Sequence, residues 1–343
     1  MAILDTDLKL KKSVAVHDGD GNGGRMGGAA AEVTTGVKNN MLPDIPHAER
    51  MGGFTRYRKF FVHVAPASNL ALAEASLCIE RHTPGDDVVV MMAGTQTDLQ
   101  VDAATYTRHY GCAPLNANVS SGATSITVNV EPGNGAGGGR EIFKSGDQIR
   151  ITNRATIDSV TGSEEVVRLA DTGGVGWSGT VATLTLASGQ SLANAYVAAD
   201  TRVSSLLESG DVAATVSGWG ESSVAGTFDE TLHPVVASNR GTILQTWTVT
   251  FTSATAYGVT GNTIGSVGAG ATTANFSPTN TDQSAPYFTL PSAGFGGTWA
   301  AGETLTFTTH PATIPFWLKH VGPAGANSYS GNAVTVAVFG QSA

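Results

Sequence analysis

The run Asp18-Gly19-Asp20-Gly21-Asn22-Gly23 sets oxygen-bearing side chains at alternate positions and ends on a glycine suited to a sharp turn. That is the first half of a calcium loop. Such a loop closes on its cation with a bidentate acid at the twelfth position, which here is Ala29, and the nearest acid is Glu32. Without that ligand affinity is poor, so the spacing favours a glycine-rich turn, and calcium at Asp18, Asp20 and Asn22 is the one cofactor the chain suggests. Other reactive patterns fail on particular residues. Gly139-Arg140 and the glycines before it lack the lysine and the helix of a phosphate loop. The dinucleotide fingerprint fails in the same way, and no G-x-S-x-G elbow occurs. The 8 histidines form no H-x-H or H-x-x-x-H pair, and His63, in Phe61-Val62-His63-Val64, reads as a core or strand-face residue. Glu164-Glu165, Asp86-Asp87 and Asp229-Glu230 are acid pairs of the kind a glycosidase uses. The 5 tryptophans are too dispersed to mark a sugar cleft beside them. The chain therefore reads as no enzyme.

Two further groups suit contact rather than catalysis. Arg56, Arg58 and Lys59 lie in Thr55-Arg56-Tyr57-Arg58-Lys59-Phe60-Phe61, where alternation and charge place them on the solvent face of a strand. Trp317, in Pro315-Phe316-Trp317-Leu318-Lys319, sits next to proline-bearing chain and suits a core plug or an interface anchor equally. Trp247 alternates with Val249 and Phe251, so those three share one core face. Cys78 and Cys112 are the only cysteines, without zinc or redox spacing. Cys78, in an apolar run, reads as a small core hydrophobe.

The elements that must position these residues are strands. Glycine occurs 43 times, 41% of residues are hydrophobic, and short β-branched and aromatic runs alternate with Gly, Asn, Asp and Pro. The fold class implied is all-β, two to three small sandwich or barrel modules with an extended N-terminal arm. Residues 1–40 read as the arm, pinned by a neighbouring subunit and dispensable for folding. Residues 41–112 form a β domain with strands over Tyr57–Val64, Leu70–Glu80 (or a short helix) and Asp87–Met92. Residues 113–217 form a sandwich or barrel, free to be an insertion, with strands near 124–130, 146–152, 165–169 and 180–186, a Pro132–Gly139 loop and a helical turn over Ser191–Ala199. Residues 218–343 form a C-terminal β domain in which Gly258–Thr281, nearly all small residues, reads as surface loop.

The net charge is −9, from 19 Lys and Arg against 28 Asp and Glu, which argues against a phosphate-gripping nucleic-acid binder. No window approaches ~18 consecutive apolar residues, so no membrane partner is expected. Met1-Ala2-Ile3-Leu4-Asp5 lacks an apolar signal region, so synthesis in a cytoplasm is expected.

The segment Asn39-Asn40-Met41-Leu42-Pro43-Asp44-Ile45, Arg50, then Gly53-Phe54-Thr55-Arg56-Tyr57-Arg58-Lys59-Phe60-Phe61 resembles a stretch near the N-terminus of structural proteins of tailed bacteriophages. There it runs roughly N-N-L-F-P-D-I-S, an arginine, then G-x-x-x-x-R-K-V-F. Met41-Leu42 and Pro46 depart from that pattern. The C-terminal Thr308–Ala312, Pro315–Lys319 and Val321–Ala326 are similar in style to the same proteins. Together these segments span about a quarter of the chain, and they carry no catalytic motif. The resemblance implies a virion component in tail, baseplate or neck, partnered by copies of itself and by other phage structural proteins. No pattern for the long spine helix of a shell protein is present. An acidic channel wall would let DNA slide, because like charge repels phosphate. Under this reading Arg56, Arg58, Lys59, Pro315, Trp317 and Lys319 are the interface candidates. A head decoration or minor capsid protein is the first alternative. A carbohydrate-binding tail-tip module, with Trp299 or Trp317 as platform, is the second.

Overall fold

The computed structural model describes residues 2–130 and 141–342. The Pro132–Gly139 loop and Arg140 lie outside them. The chain is nearly all β, 46% strand and 6% helix, in several antiparallel sheets with no closed barrel. No helix among the described residues is long and apolar enough to cross a membrane.

Three cores organise the sheets. The body packs two sheets face to face. Its first sheet runs Gly23–Met26, Leu8–Ala15, Phe54–Val64, Thr313–Gly322, Val88–Ala93. Its second runs Leu207–Val212, Leu72–Arg81, Thr335–Ser342. Phe60, Val62, Ile314, Phe316 and Leu318 from the first meet Leu72, Leu77, Ile79 and Leu207 from the second. A second sandwich lies between Cys112 and Ser205. A sheet of Val175–Ser178, Val181–Thr185 and Ser125–Asn129 packs on one of Cys112–Pro114, Arg202–Ser205, Gln148–Thr152 and Glu164–Arg168. Ile126, Val128 and Leu184 of the former face Ile149, Ile151 and Val203 of the latter. The third module is a five-stranded sheet, Thr215–Glu221, Thr304–His310, Gln245–Phe251, Ala256–Gly261, Gly265–Ala271. Its apolar face is covered by short two-stranded pairs and turns carrying Phe228, Phe288, Leu290, Phe295 and Trp299.

Several expectations need correction. Residues 1–40 are not an arm that waits for a neighbouring subunit: Leu8–Ala15 pairs with Phe54–Val64 of the same chain over Leu8↔Val64 to Lys12↔Phe60 and lies inside the body sheet. Leu8 and Leu10 face the core, an apolar alternation that the lysines between them hide. The span 218–343 is not one domain either. The third module ends at His310, and Thr313–Gly322 returns to the body, so both smaller modules are insertions between body strands. Ser191–Ala199 makes turns rather than a helix, anchored by Leu192 and Tyr196. Gly258–Thr281 is not all loop: Ala256–Gly261 and Gly265–Ala271 make a hairpin whose small residues leave room for Tyr257 and Val259 to turn inward, and Thr279–Asn280 pairs with Ala285–Pro286.

Candidate functional site

The interface candidates all fall on two neighbouring strands. Thr313–Gly322 pairs with Phe54–Val64 from Thr313↔His63 through Trp317↔Lys59 to Gly322↔Phe54. Phe54–Phe61 and Pro315–Gly322 therefore lie side by side at the middle of the body. Proline is unusual on an inner strand because it gives no ladder donor. Pro315 is accommodated because its far side faces the end of Val88–Ala93, where pairing starts only at Phe316↔Ala93 and Gly94 N–H bonds the Pro315 carbonyl.

Both faces of this sheet are covered, which moves charges expected at the surface into the interior. Lys59 is 1% exposed, Arg58 5% and Trp317 0%. Lys59 Nζ pairs with Asp98 Oδ1 at 2.5 Å and also donates to Gly24 O at 2.6 Å and Asp98 O at 3.0 Å. Asp98 Oδ2 accepts from Trp317 Nε1 at 2.8 Å and Tyr106 Oη at 2.7 Å, and Oδ1 accepts from Thr95 N–H at 3.1 Å. Burial raises the Asp98 carboxyl, but the bonds from Lys59, Tyr106 and Trp317 outweigh it and hold the group below the usual range. Burial pulls Lys59 down against the opposing pull of Asp98. With every donor and acceptor engaged, this pair works as a structural pin that fixes the 95–106 turn and the edge strand to the sheet. Gly23, at φ 109°, completes it: a Cβ there would lie 2.7 Å from the Trp317 ring and 2.9 Å from Asp98 O.

The calcium expectation falls at the same corner. Asp18 Oδ1 bonds Arg58 at 2.6 Å, which holds its carboxyl below the usual range. Asn22 is 0% exposed, and its amide donates to Tyr57 O at 2.9 Å and Gln100 Oε1 at 3.0 Å. The Asn22 oxygen accepts from His17 N–H at 3.3 Å. The oxygens of Asp18 and Asn22 are thus engaged within the protein while Asp20 is exposed, and no group of three or more His, Cys, Asp or Glu around one point occurs among the described residues. Arg56 is held by Glu49 at 2.7 Å. Pro315 and Lys319 are half-buried.

A second polar cluster went unseen in the sequence. Glu80, on the body strand Leu72–Arg81, is 2% exposed. It pairs with Arg150 and, at 2.9 Å, with Arg202, both from the inserted sandwich, while Arg150 also reaches Glu164 at 2.5 Å. Glu164 is thus tied through Arg150 to the junction between the body and the sandwich. No local signal marks this cluster, because its residues lie far apart in sequence. Cys78 and Cys112 are free, with burial raising both thiols, so neither presents a reactive thiolate. Trp299 is 3% exposed and stacks on Phe251 at 4.1 Å, so the two tryptophans named as a sugar platform are both inside.

No family model, curated protein or solved structure matches the chain.

Proposed function

We propose that this chain is a non-enzymatic structural subunit of a tailed-bacteriophage virion, assembling with copies of itself in the tail, baseplate or neck. One observation carries the reading. The two separated segments that resemble phage structural proteins are paired strand to strand along the whole of Thr313–Gly322, at the centre of a body that holds two inserted β modules. A load-bearing subunit needs such a rigid centre, with modules projecting from it for contact. The interface is better sought on the inserted modules and the outer edges than on Lys59 or Trp317, which are buried within the subunit. Free edges suited to strand addition are Gly265–Ala271 and Thr335–Ser342. Electron microscopy of the intact particle, with this chain located in the density, tests the reading. Rings along the tail axis support it, density spread over the head lattice moves the protein to decoration, and absence from the particle removes the virion role.

A further inference from the structure

The outer face of the first body sheet, opposite its core, carries His63 and Lys11, 0% and 1% exposed. The third module covers both with two turns. The Ser238–Thr242 turn, closed by Thr242 N–H to Ser238 O at 2.9 Å, places Asn239 O 2.8 Å from His63 Nε2. Asn239 is held to the body by Asn69 Oδ1 at 3.0 Å, Leu70 O at 2.8 Å and Ala214 N–H at 2.8 Å. On the second turn, Gln283 Oε1 accepts from Lys11 Nζ at 2.8 Å. The junction thus includes these buried polar contacts beside the more exposed Arg25–Thr263 bond and the Asn69 amide on Ala237 O at 3.4 Å, and only Ala213-Ala214 and Pro311-Ala312 link the module covalently to the body strands. Such junctions resemble transient interfaces more than a continuous core.

A carbonyl oxygen only accepts, so His63 Nε2 carries the ring hydrogen and Nδ1 is the free base. Nδ1 is buried with no hydrogen-bond partner. A second proton must therefore enter a site that offers it no acceptor. Lys11 and Lys9 stand on the neighbouring strand and oppose that proton, Glu32 favours it, and Asp282 lies by Lys11. The body segment beneath Asn239, residues 65–71, has no ionisable side chain, and the docking turn's own Arg240 is exposed.

We propose that His63 makes the docking of the third module on the body acid-labile, so that protonating its ring releases the Ser238–Thr242 turn and lets the module separate with its own sheet still folded. Burial, with Lys11 next, pulls His63 from 6.5 down to about 4 in the docked state. Once uncovered, the ring returns toward its ordinary value. A group depressed in the docked state stabilises docking fully above about pH 6.5 and loses that contribution as pH falls toward 4. The docking constant should drop by about two orders of magnitude between pH 7 and pH 4.

The test follows the radius of gyration of the full chain by small-angle scattering over that range, with near-ultraviolet dichroism reporting Trp247 and Trp299. The wild type should expand while the aromatic signal persists. His63→Gln, which keeps a donor for Asn239 O but does not titrate, should stay compact. Lys11→Gln, which keeps a donor for Gln283 but removes the cation beside the ring, should expand less. His109, also pulled down to about 4 by burial, lies beside Arg108, Lys144 and Lys319 instead, so His109→Gln should expand like the wild type. Expansion of His63→Gln at the wild-type pH, or loss of the aromatic signal before expansion, overturns the proposal. Should His63→Gln not fold at pH 7, a Lys11→Gln profile identical to the wild type overturns it.

Discussion

The body and the third module bury a long strand in different ways. Gln245–Phe251 alternates buried and open positions along its length, with Trp247, Val249 and Phe251 inward and threonines outward. Phe54–Val64 is buried at every position from Arg58 to Val64, because one face meets the second body sheet and the other meets the 95–106 turn and the third module. A strand with one wet face sorts its residues by polarity, whereas a strand covered on both faces must engage its charges. The third-module sheet is accordingly held by aromatic contacts, such as Phe251 on Trp299 and Phe288 against Phe307, and the body sheet by aliphatic packing plus the Lys59–Asp98 pin. Each region should fail in its own way.

The largest effect is expected from removing residues 1–26. This takes away Leu8–Ala15, which pairs with Phe54–Val64, and the edge strand Gly23–Met26 outside it, together with the Gly24 carbonyl that accepts from Lys59. A soluble, folded subunit should not be recovered, and a cooperative thermal transition in the truncated chain would show that the N-terminal strands are an accessory. Next comes Lys59→Met, which leaves Asp98 as a buried charge without its cation and should cost about 3–5 kcal/mol. Adding Asp98→Asn should restore part of that, because the uncompensated charge is gone. Urea titrations of the two single variants and the double give the coupling directly, and simple additivity would mean that the pair is not acting as a unit. In the third module, Phe251→Ala should cost a similar ~3–5 kcal/mol by a different route, the loss of packing on Trp299 and Tyr257. There no second substitution of a charge should rescue it.

These contrasts explain what the sequence made legible. Trp247, Val249 and Phe251 were readable as one core face because period-two alternation survives wherever a face is wet. The all-β class was readable from composition, since glycine turns and β-branched runs recur along the whole chain. Lys59 and Arg58 were misplaced because alternation assumes solvent on one side, and nothing local announces the turn at Asp98 that covers the one or the His17–Asp18 loop that holds the other. The body's C-terminal strand was merged with the third module because a return to a distant sheet leaves no mark in composition. The calcium-like loop is tied down in a way its own spacing does not show: the partners of Asp18 and Asn22, namely Arg58, Tyr57 and Gln100, come from other elements. The Glu80–Arg150–Arg202 cluster shares that property, and it was invisible.

Acid should separate the regions next. His63 is drawn down to about 4 from 6.5, so between pH 7 and pH 4 its site withdraws up to about 3 kcal/mol from the body–module junction, an upper figure that partial hydration on opening reduces. In the third module burial raises Tyr257 and Tyr287, away from this range, so the aromatic signal of the Trp247–Phe251 sheet should be flat between pH 7 and pH 4. Equal acid sensitivity of both signals would erase the distinction between a polar junction and an apolar module core.

The smallest effect tests the boundary of the argument. Lys9 and Glu32 form an ion pair at 3.0 Å on the same strand region as the buried Lys11, yet their side chains are 37% and 42% exposed. Water already solvates both ends, so breaking the pair strands no buried charge, and Lys9→Met should change stability by less than about 1 kcal/mol. The same lysine-to-methionine exchange thus spans several-fold in effect between Lys9 and Lys59, decided by burial and not by residue type. If urea midpoints showed Lys9→Met to be as damaging as Lys59→Met, the cost would have to lie in the strand itself, in lost side-chain packing against the body, and the ion-pair account of the Lys59 pin would have to be given up with it.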